Sequence, residues 1–114
     1  MNIQIFGKNK CFDTKKAERW FKERRVKFQS VDLLRYGMSR RELESVKACV
    51  GLNAMINDKA PGSEILRYLA YDGDKLEKLL EDPSLIRTPV VRNGKKATVG
   101  YCPDVWKQWE AEDK

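Results

Sequence analysis

What this chain can become is constrained most by its opening: a short apolar alternation, a lysine-rich loop bearing a cysteine, and then a helical stripe. Ile3, Ile5 and Phe6 predict a strand over Asn2 to Phe6, which Gly7 ends. Ala17, Trp20 and Phe21 recur at i, i+3, i+4, with Lys16, Glu18, Lys22 and Glu23 turned to water. That spacing predicts a helix capped by Asp13 or Thr14 and running to about Arg24. Cys11 therefore sits in the loop that enters a helix, where unpaired N–H groups and the positive end of the dipole favour thiolate over thiol. Lys8, Lys10, Lys15 and Lys16 surround it with charge that acts the same way. Cys11 is the candidate reactive atom. Val26, Phe28, Ser30 and the run Val31-Asp32-Leu33 predict a second strand, so the opening third reads as a βαβ unit with parallel strands.

The pattern changes after Met38. Ser39-Arg40-Arg41-Glu42 is a capping box opening a helix that carries Leu43, Val46, Ala48 and Val50, and Gly51 closes it. Cys49 falls on the apolar side of that helix and is expected to be a buried small hydrophobe. Further helical stretches are expected over Gly62 to Tyr68, with Ile65, Leu66 and Leu69 inward, and from Asp74 to Asp82-Pro83, with Leu76, Leu79 and Leu80 inward. Thr88-Pro89-Val90-Val91-Arg92 and Lys95-Lys96-Ala97-Thr98-Val99 flank Asn93-Gly94, a strong hairpin signal, with a type I′ turn expected. The last helix should begin near Pro103 and bury Val105, Trp106 and Trp109.

Composition narrows the chemistry. At 114 residues with 41% hydrophobic content, one domain with a single core is expected. The apolar runs are only a few residues long and no signal-peptide region precedes the first strand, so a cytoplasmic protein with no membrane partner is expected. Three cysteines, Cys11, Cys49 and Cys102, are too few and too far apart for a disulfide framework or a metal site. With no histidine in the chain, Cys–His nucleophile pairs and Cys/His zinc sites are excluded, and a nucleophile here depends on local charge and helix geometry. The net charge of +6 permits anionic partners. Basic and acidic residues alternate along the chain without a basic tail or RNP-type aromatics, so no direct contact with nucleic acid is expected.

Three stretches carry a family likeness: Ile5-Phe6-Gly7 with Asn9-Lys10-Cys11 and Lys15-Lys16-Ala17, then Leu85-Ile86-Arg87-Thr88-Pro89-Val90-Val91, then Val99-Gly100-Tyr101. Their order and spacing resemble the arsenate-reductase-related (ArsC/Spx-like) branch of the thioredoxin superfamily, from end to end of the chain. The resemblance implies an α/β thioredoxin-like, or glutaredoxin-like, fold: a mixed four-stranded sheet from residues 1–37 and 85–114, with a helical subdomain of residues 38–84 inserted between the βαβ and ββα halves. It implies that Cys11 is the active-site cysteine and that Thr88-Pro89 is a cis peptide facing it. In the regulator branch a second cysteine stands three residues on, where this chain has Thr14. In the arsenate-reducing branch arginines hold the oxyanion. Here Thr88 stands directly before the proline with Arg87 one place earlier and on the other strand face, while Lys59 and Lys95 or Lys96 fall near the other arginine positions. Lysine keeps the charge but lacks the bidentate fork.

Two functions follow as expectations. One is a thiol oxidoreductase using Cys11, supported by Lys10, Thr14, Lys15, Lys59, Arg87, Thr88, Pro89, Lys95 and Lys96, with no tightly bound cofactor and with glutathione or a protein thiol as co-substrate. The other is a non-catalytic or redox-regulated transcription regulator of the kind that contacts RNA polymerase. Cys102, just before the last helix, is the remaining thiol that could resolve a Cys11 disulfide.

Overall fold

In the computed structural model, which describes residues 1–113, strand β1 (Ile3–Gly7) lies inside the sheet. On one side it pairs in parallel with β2 (Phe28–Asp32), and on the other antiparallel with β3 (Val90–Asn93), which pairs antiparallel with β4 (Lys96–Val99). The order β2-β1-β3-β4 is a mixed four-stranded sheet, and helix α1 (Phe12–Glu23) makes the crossover from β1 to β2. Strand alternation divides the apolar residues between two faces. Ile3, Ile5 and Val91 face α1 and α5 (Pro103–Glu112), meeting Ala17, Trp20, Phe21, Trp106 and Trp109. Phe6, Val90 and Ala97 face the other way, onto a larger cluster with Leu43 and Val46 of α3 (Arg40–Val50), Leu76 and Leu79 of α4 (Asp72–Glu81), and Met55, Leu85 and Ile86.

Trp106 is fully buried, with ring centroids 5.1 Å from Phe21 and 5.5 Å from Trp20. Its indole N–H donates to Thr98 Oγ1 at 2.9 Å, so the one polar atom of the ring is satisfied inside the layer. Ser39 and Glu42 form both bonds of the expected capping box at the start of α3.

Several boundaries differ from the sequence expectation. Cys11 itself, rather than Asp13 or Thr14, is the N-cap of α1, because the turn closed by Cys11 N–H to Lys8 O at 3.1 Å brings the helix entrance back onto the thiol. The second strand starts at Phe28 and stops at Asp32, whose carboxylate accepts from Leu34 N–H and caps a short helix, α2 (Leu33–Tyr36). Residues Ser63–Tyr68 form a 3₁₀ segment in which Ile65 is exposed, and α4 starts at Asp72, two residues before the expected Asp74. Cys49 and Ala48 are exposed: the inward stripe of α3 is Leu43 and Val46, and Cys49 lies off that line with Sγ donating to Lys95 O at 3.0 Å. Val105 is exposed for the same reason of helical phase, since Trp106 and Trp109 define the inner stripe of α5. In the hairpin Asn93 pairs with Lys96, leaving Gly94-Lys95 as the two turn residues. Positive φ falls on Gly94 (61°) and not on Lys95, the pattern of a type II′ rather than a type I′ turn.

Candidate active site

The C-terminal end of β1 and the entrance to β3 lie side by side, because the two strands are antiparallel with Phe6 opposite Val90. The loop after Gly7 and the Thr88-Pro89 dipeptide before Val90 are thereby brought together. The Thr88–Pro89 peptide is cis, Pro89 is fully buried, and Cys11 Sγ donates to Thr88 O at 3.6 Å.

The thiol is half-buried, and burial alone would push it up. Hydrogen bonds reverse the sign. The hydroxyls of Thr14 and Thr88 and the backbone N–H groups of Thr14 and Asp13 favour the thiolate, and Cys11 lies below the ordinary thiol value. As a neutral donor turned to Thr88 O, the sulfur makes no cap bond to the helix; only the charged form calls on all four donors. Thr14 is buried one turn into α1, and its Oγ1 also accepts from Lys8 N–H at 3.4 Å. It fits because Gly7 has no side chain: a Cβ there would stand 2.1 Å from Thr14 Cγ2.

Lys8 ties the site together more closely than its place among several lysines suggested. Its Nζ donates to Ser84 O at 3.0 Å and Ile86 O at 2.9 Å, while its own carbonyl accepts from Cys11 N–H. One residue thus joins the cysteine loop, Thr14 and the segment leading into Thr88. Burial lowers the Lys8 ammonium pKa, an effect partly offset by the negative charges of Cys11 and Asp82. A lysine directly after a strand-ending glycine is the only sequence signal for this role, and it is a weak one. Asp32, Leu34 and Asn57 were not anticipated either. With Lys8, Cys11 and Thr88 they line a cavity of about 560 Å³ beside the sulfur.

The other expected site residues separate. Lys10 lines the same cavity, whereas Lys15 is exposed on α1 and lines a neighbouring cavity of about 280 Å³ beside Thr14 and Ser30. Lys59 is exposed beyond Asn57, whose Oδ1 accepts from its N–H. Arg87 turns toward Gly100 and Cys102. Lys95 and Lys96 are not part of the thiol site: β3 runs antiparallel to β1, so its following turn lies at the start of β1, one sheet length from Cys11. Lys96 instead pairs with Glu112. Cys102 caps α5 with Sγ toward Val99 O at 3.4 Å; burial pushes its thiol up, against Arg87 and Thr98, the opposite outcome to Cys11. All three cysteines are free, and among the described residues no cluster of metal-ligating side chains forms.

A family model described as "ArsC family" matches residues 6–109. The chain belongs to the ArsC family. Among curated proteins it is similar to the global transcriptional regulator Spx 2 of Oceanobacillus iheyensis, at 27% identity over 98% of this chain and 96% of that one. It is also similar to the protein YusI of Bacillus subtilis, at 25% identity over 95% and 98%. Among solved structures, one described as YFFB protein superposes with a TM-score of 0.82 at 25% identity, covering 94% of this chain and 97% of the other. An arsenate reductase from Vibrio cholerae gives a TM-score of 0.82 at 22% identity, over 95% and 97%, a likeness of fold. The ArsC-family chain has the thioredoxin-like architecture expected, with β1, α1 and β2 before the helical segment and β3, β4 and α5 after it. None of its helices, among the described residues, is long and apolar enough to cross a membrane.

Proposed function

We propose that this ArsC-family protein is a thiol oxidoreductase in which Cys11 is the only protein nucleophile of the cycle and the second thiol comes from outside. The observation that carries the reading is the place of Cys11, at the N-cap of α1 with Sγ 3.6 Å from Thr88 O at the cis Thr88–Pro89 peptide and beside a cavity. In the first step the Cys11 thiolate attacks one sulfur of an oxidised disulfide. The Cys11–sulfur bond forms, the substrate S–S bond breaks, and the departing thiolate takes a proton from water. In the second step an external thiolate, from glutathione or a protein thiol, attacks the mixed disulfide and releases Cys11 as thiolate. The attacking thiol leaves joined to the substrate's retained sulfur as a disulfide, which a second external thiol cleaves, so two external thiols are oxidised to one disulfide and the substrate disulfide is reduced to two thiols by two electrons.

Thr14 stands at the third residue after Cys11, so a disulfide within the loop is excluded, which favours an external thiol as the second one. Among the described residues no arginine lines the cavity beside Cys11, and Arg87 turns toward Gly100 and Cys102, which favours a disulfide over arsenate as substrate. Mass spectrometry after treatment with oxidised glutathione tests the reading. A single glutathione on Cys11, removed by excess reduced glutathione and absent from Cys11→Ser, is expected. Modification spread equally over Cys11, Cys49 and Cys102 would overturn it.

A second reading, a transcription regulator acting through RNA polymerase, is favoured by the similarity to Spx 2 over nearly the whole chain. It predicts retention on RNA polymerase that Cys11→Ser leaves intact.

A further inference from the structure

Basic and acidic residues balance over most of the chain, but α1 and the turn after it do not share in that balance. Between Lys15 and Lys27 lie seven of the chain's 23 basic residues and only two carboxylates, Glu18 and Glu23, so this one stretch carries five of the six net positive charges. Folding leaves most of that charge uncompensated. Arg24 pairs with Glu110 and stacks on Trp20, and Lys16 lies over the Tyr101 ring, but Lys15, Arg19, Lys22, Arg25 and Lys27 have no carboxylate within salt-bridge distance among the described residues. Glu18 is engaged with Ser30.

The charge gathers around a cavity. Lys22, Arg25 and Lys27, with Val26 and Phe28 as its apolar wall, line an open recess of about 530 Å³ at the C-terminal end of α1, with no acidic residue among them. Arg25 holds a second, independent peculiarity. Its φ is 58°, the left-handed region, and it is the only non-glycine residue with positive φ among those described. It occupies the helix-ending position where glycine is favoured, with Val26 N–H bonded back to Phe21 O at 2.9 Å. A cation is thus kept at a place where the backbone prefers no side chain at all, and unfavourable backbone of this kind points to function.

We infer that this recess and the face of α1 behind it dock an acidic segment of a partner protein, with one apolar side chain seated on Val26 and Phe28 and carboxylates on Lys22, Arg25 and Lys27. Protein is favoured over nucleic acid because Glu18 and Glu23 interrupt the basic face, which a continuous phosphate backbone would meet at a loss. The adjoining β2 is an edge strand, so its outer backbone groups stand open to an extended segment.

The test uses the full chain and two fluorescently labelled probes, a peptide alternating glutamate and leucine and a single-stranded DNA of the same net charge, followed by anisotropy at low and high salt. The peptide should bind more tightly than the DNA, with affinity falling as salt rises. Arg25→Gly should weaken peptide binding several-fold while raising the thermal midpoint, because it relieves the backbone and removes the charge together. Lys22→Glu combined with Lys27→Glu should abolish binding. Tighter binding of the DNA, no peptide binding at low salt, or unchanged affinity in Arg25→Gly would each overturn the inference. Cys11→Ser should bind the peptide as the wild type does, so failure of this inference is distinguishable from failure of the thiol chemistry.

Discussion

Replacing Lys8 by methionine tests whether the thiol site is held together as described. The substitution keeps most of the aliphatic stem and removes the ammonium, leaving Ser84 O and Ile86 O without the donor that reaches them at 3.0 and 2.9 Å. Hydrogen bonds to a charged group contribute about 1.5–3 kcal/mol each when buried. Lys8 is only half-buried, so water replaces part of the loss, and removing a partly desolvated charge returns some stability. A net destabilisation of about 1–2 kcal/mol follows, or a fall of roughly 5–10 °C in thermal midpoint for a domain of this size. The second effect is on chemistry: without the cation, the Cys11 thiolate loses a favourable charge, so its alkylation curve should move to higher pH. Lys8→Arg, which retains charge, should leave that curve closer to the wild type than Lys8→Met does. Thermal unfolding and iodoacetamide kinetics on the same preparations read both effects. A Lys8→Met protein with wild-type midpoint and wild-type alkylation curve would refute the reasoning.

Thr14→Val keeps the shape of a buried side chain but removes the hydroxyl shared by Cys11 and Lys8, so alkylation at neutral pH should slow. Gly7→Ala would place a Cβ 2.1 Å from Thr14 Cγ2 and should destabilise by about 1–3 kcal/mol in urea titration, the usual range for overpacking. Because the folded Cys11 thiol lies below its ordinary value of 9.0, the thiolate contributes stability that is fully present above that value and lost as pH falls through the folded one. The stability difference between reduced wild type and Cys11→Ser should therefore grow in the wild type's favour as pH rises from neutral toward 9.0. Trp106→Phe loses the bond to Thr98 and leaves a small cavity, and should cost about 2–3 kcal/mol by denaturant titration.

The topology was legible in the sequence because each segment carried its own signal. Ile3, Ile5 and Phe6 alternate at period two, Ala17, Trp20 and Phe21 at helical period, and Ser39 with Glu42 declares its own cap. The misplaced details were those decided by three-dimensional neighbours. Cys49 and Val105 lie within apolar-looking helices, yet a shift of one residue in phase exposes them. The hairpin register moved by one because pairing between Asn93 and Lys96 put Gly94 first in the turn.

The site was legible in part. Cys11, Thr14 and Thr88 meet because strand order requires the end of β1 to lie beside the start of β3, and that order was implied by the family likeness. The same antiparallel pairing carries Lys95 and Lys96 to the far end of the sheet. Lys8 was hidden because its role rests on two backbone carbonyls some 76 and 78 positions away, which no side-chain pattern encodes. The charge of α1 was obscured for a different reason: alternation along the chain conceals how strongly one helix is weighted.

The central claim is that Cys11 reacts as a thiolate prepared by the fold. Its most direct test is the rate of iodoacetamide labelling at Cys11, resolved from Cys49 and Cys102 by peptide mass spectrometry, as a function of pH. A midpoint below the ordinary thiol value at Cys11 and above it at Cys102 is predicted. A Cys11 midpoint at or above the ordinary value would contradict the account.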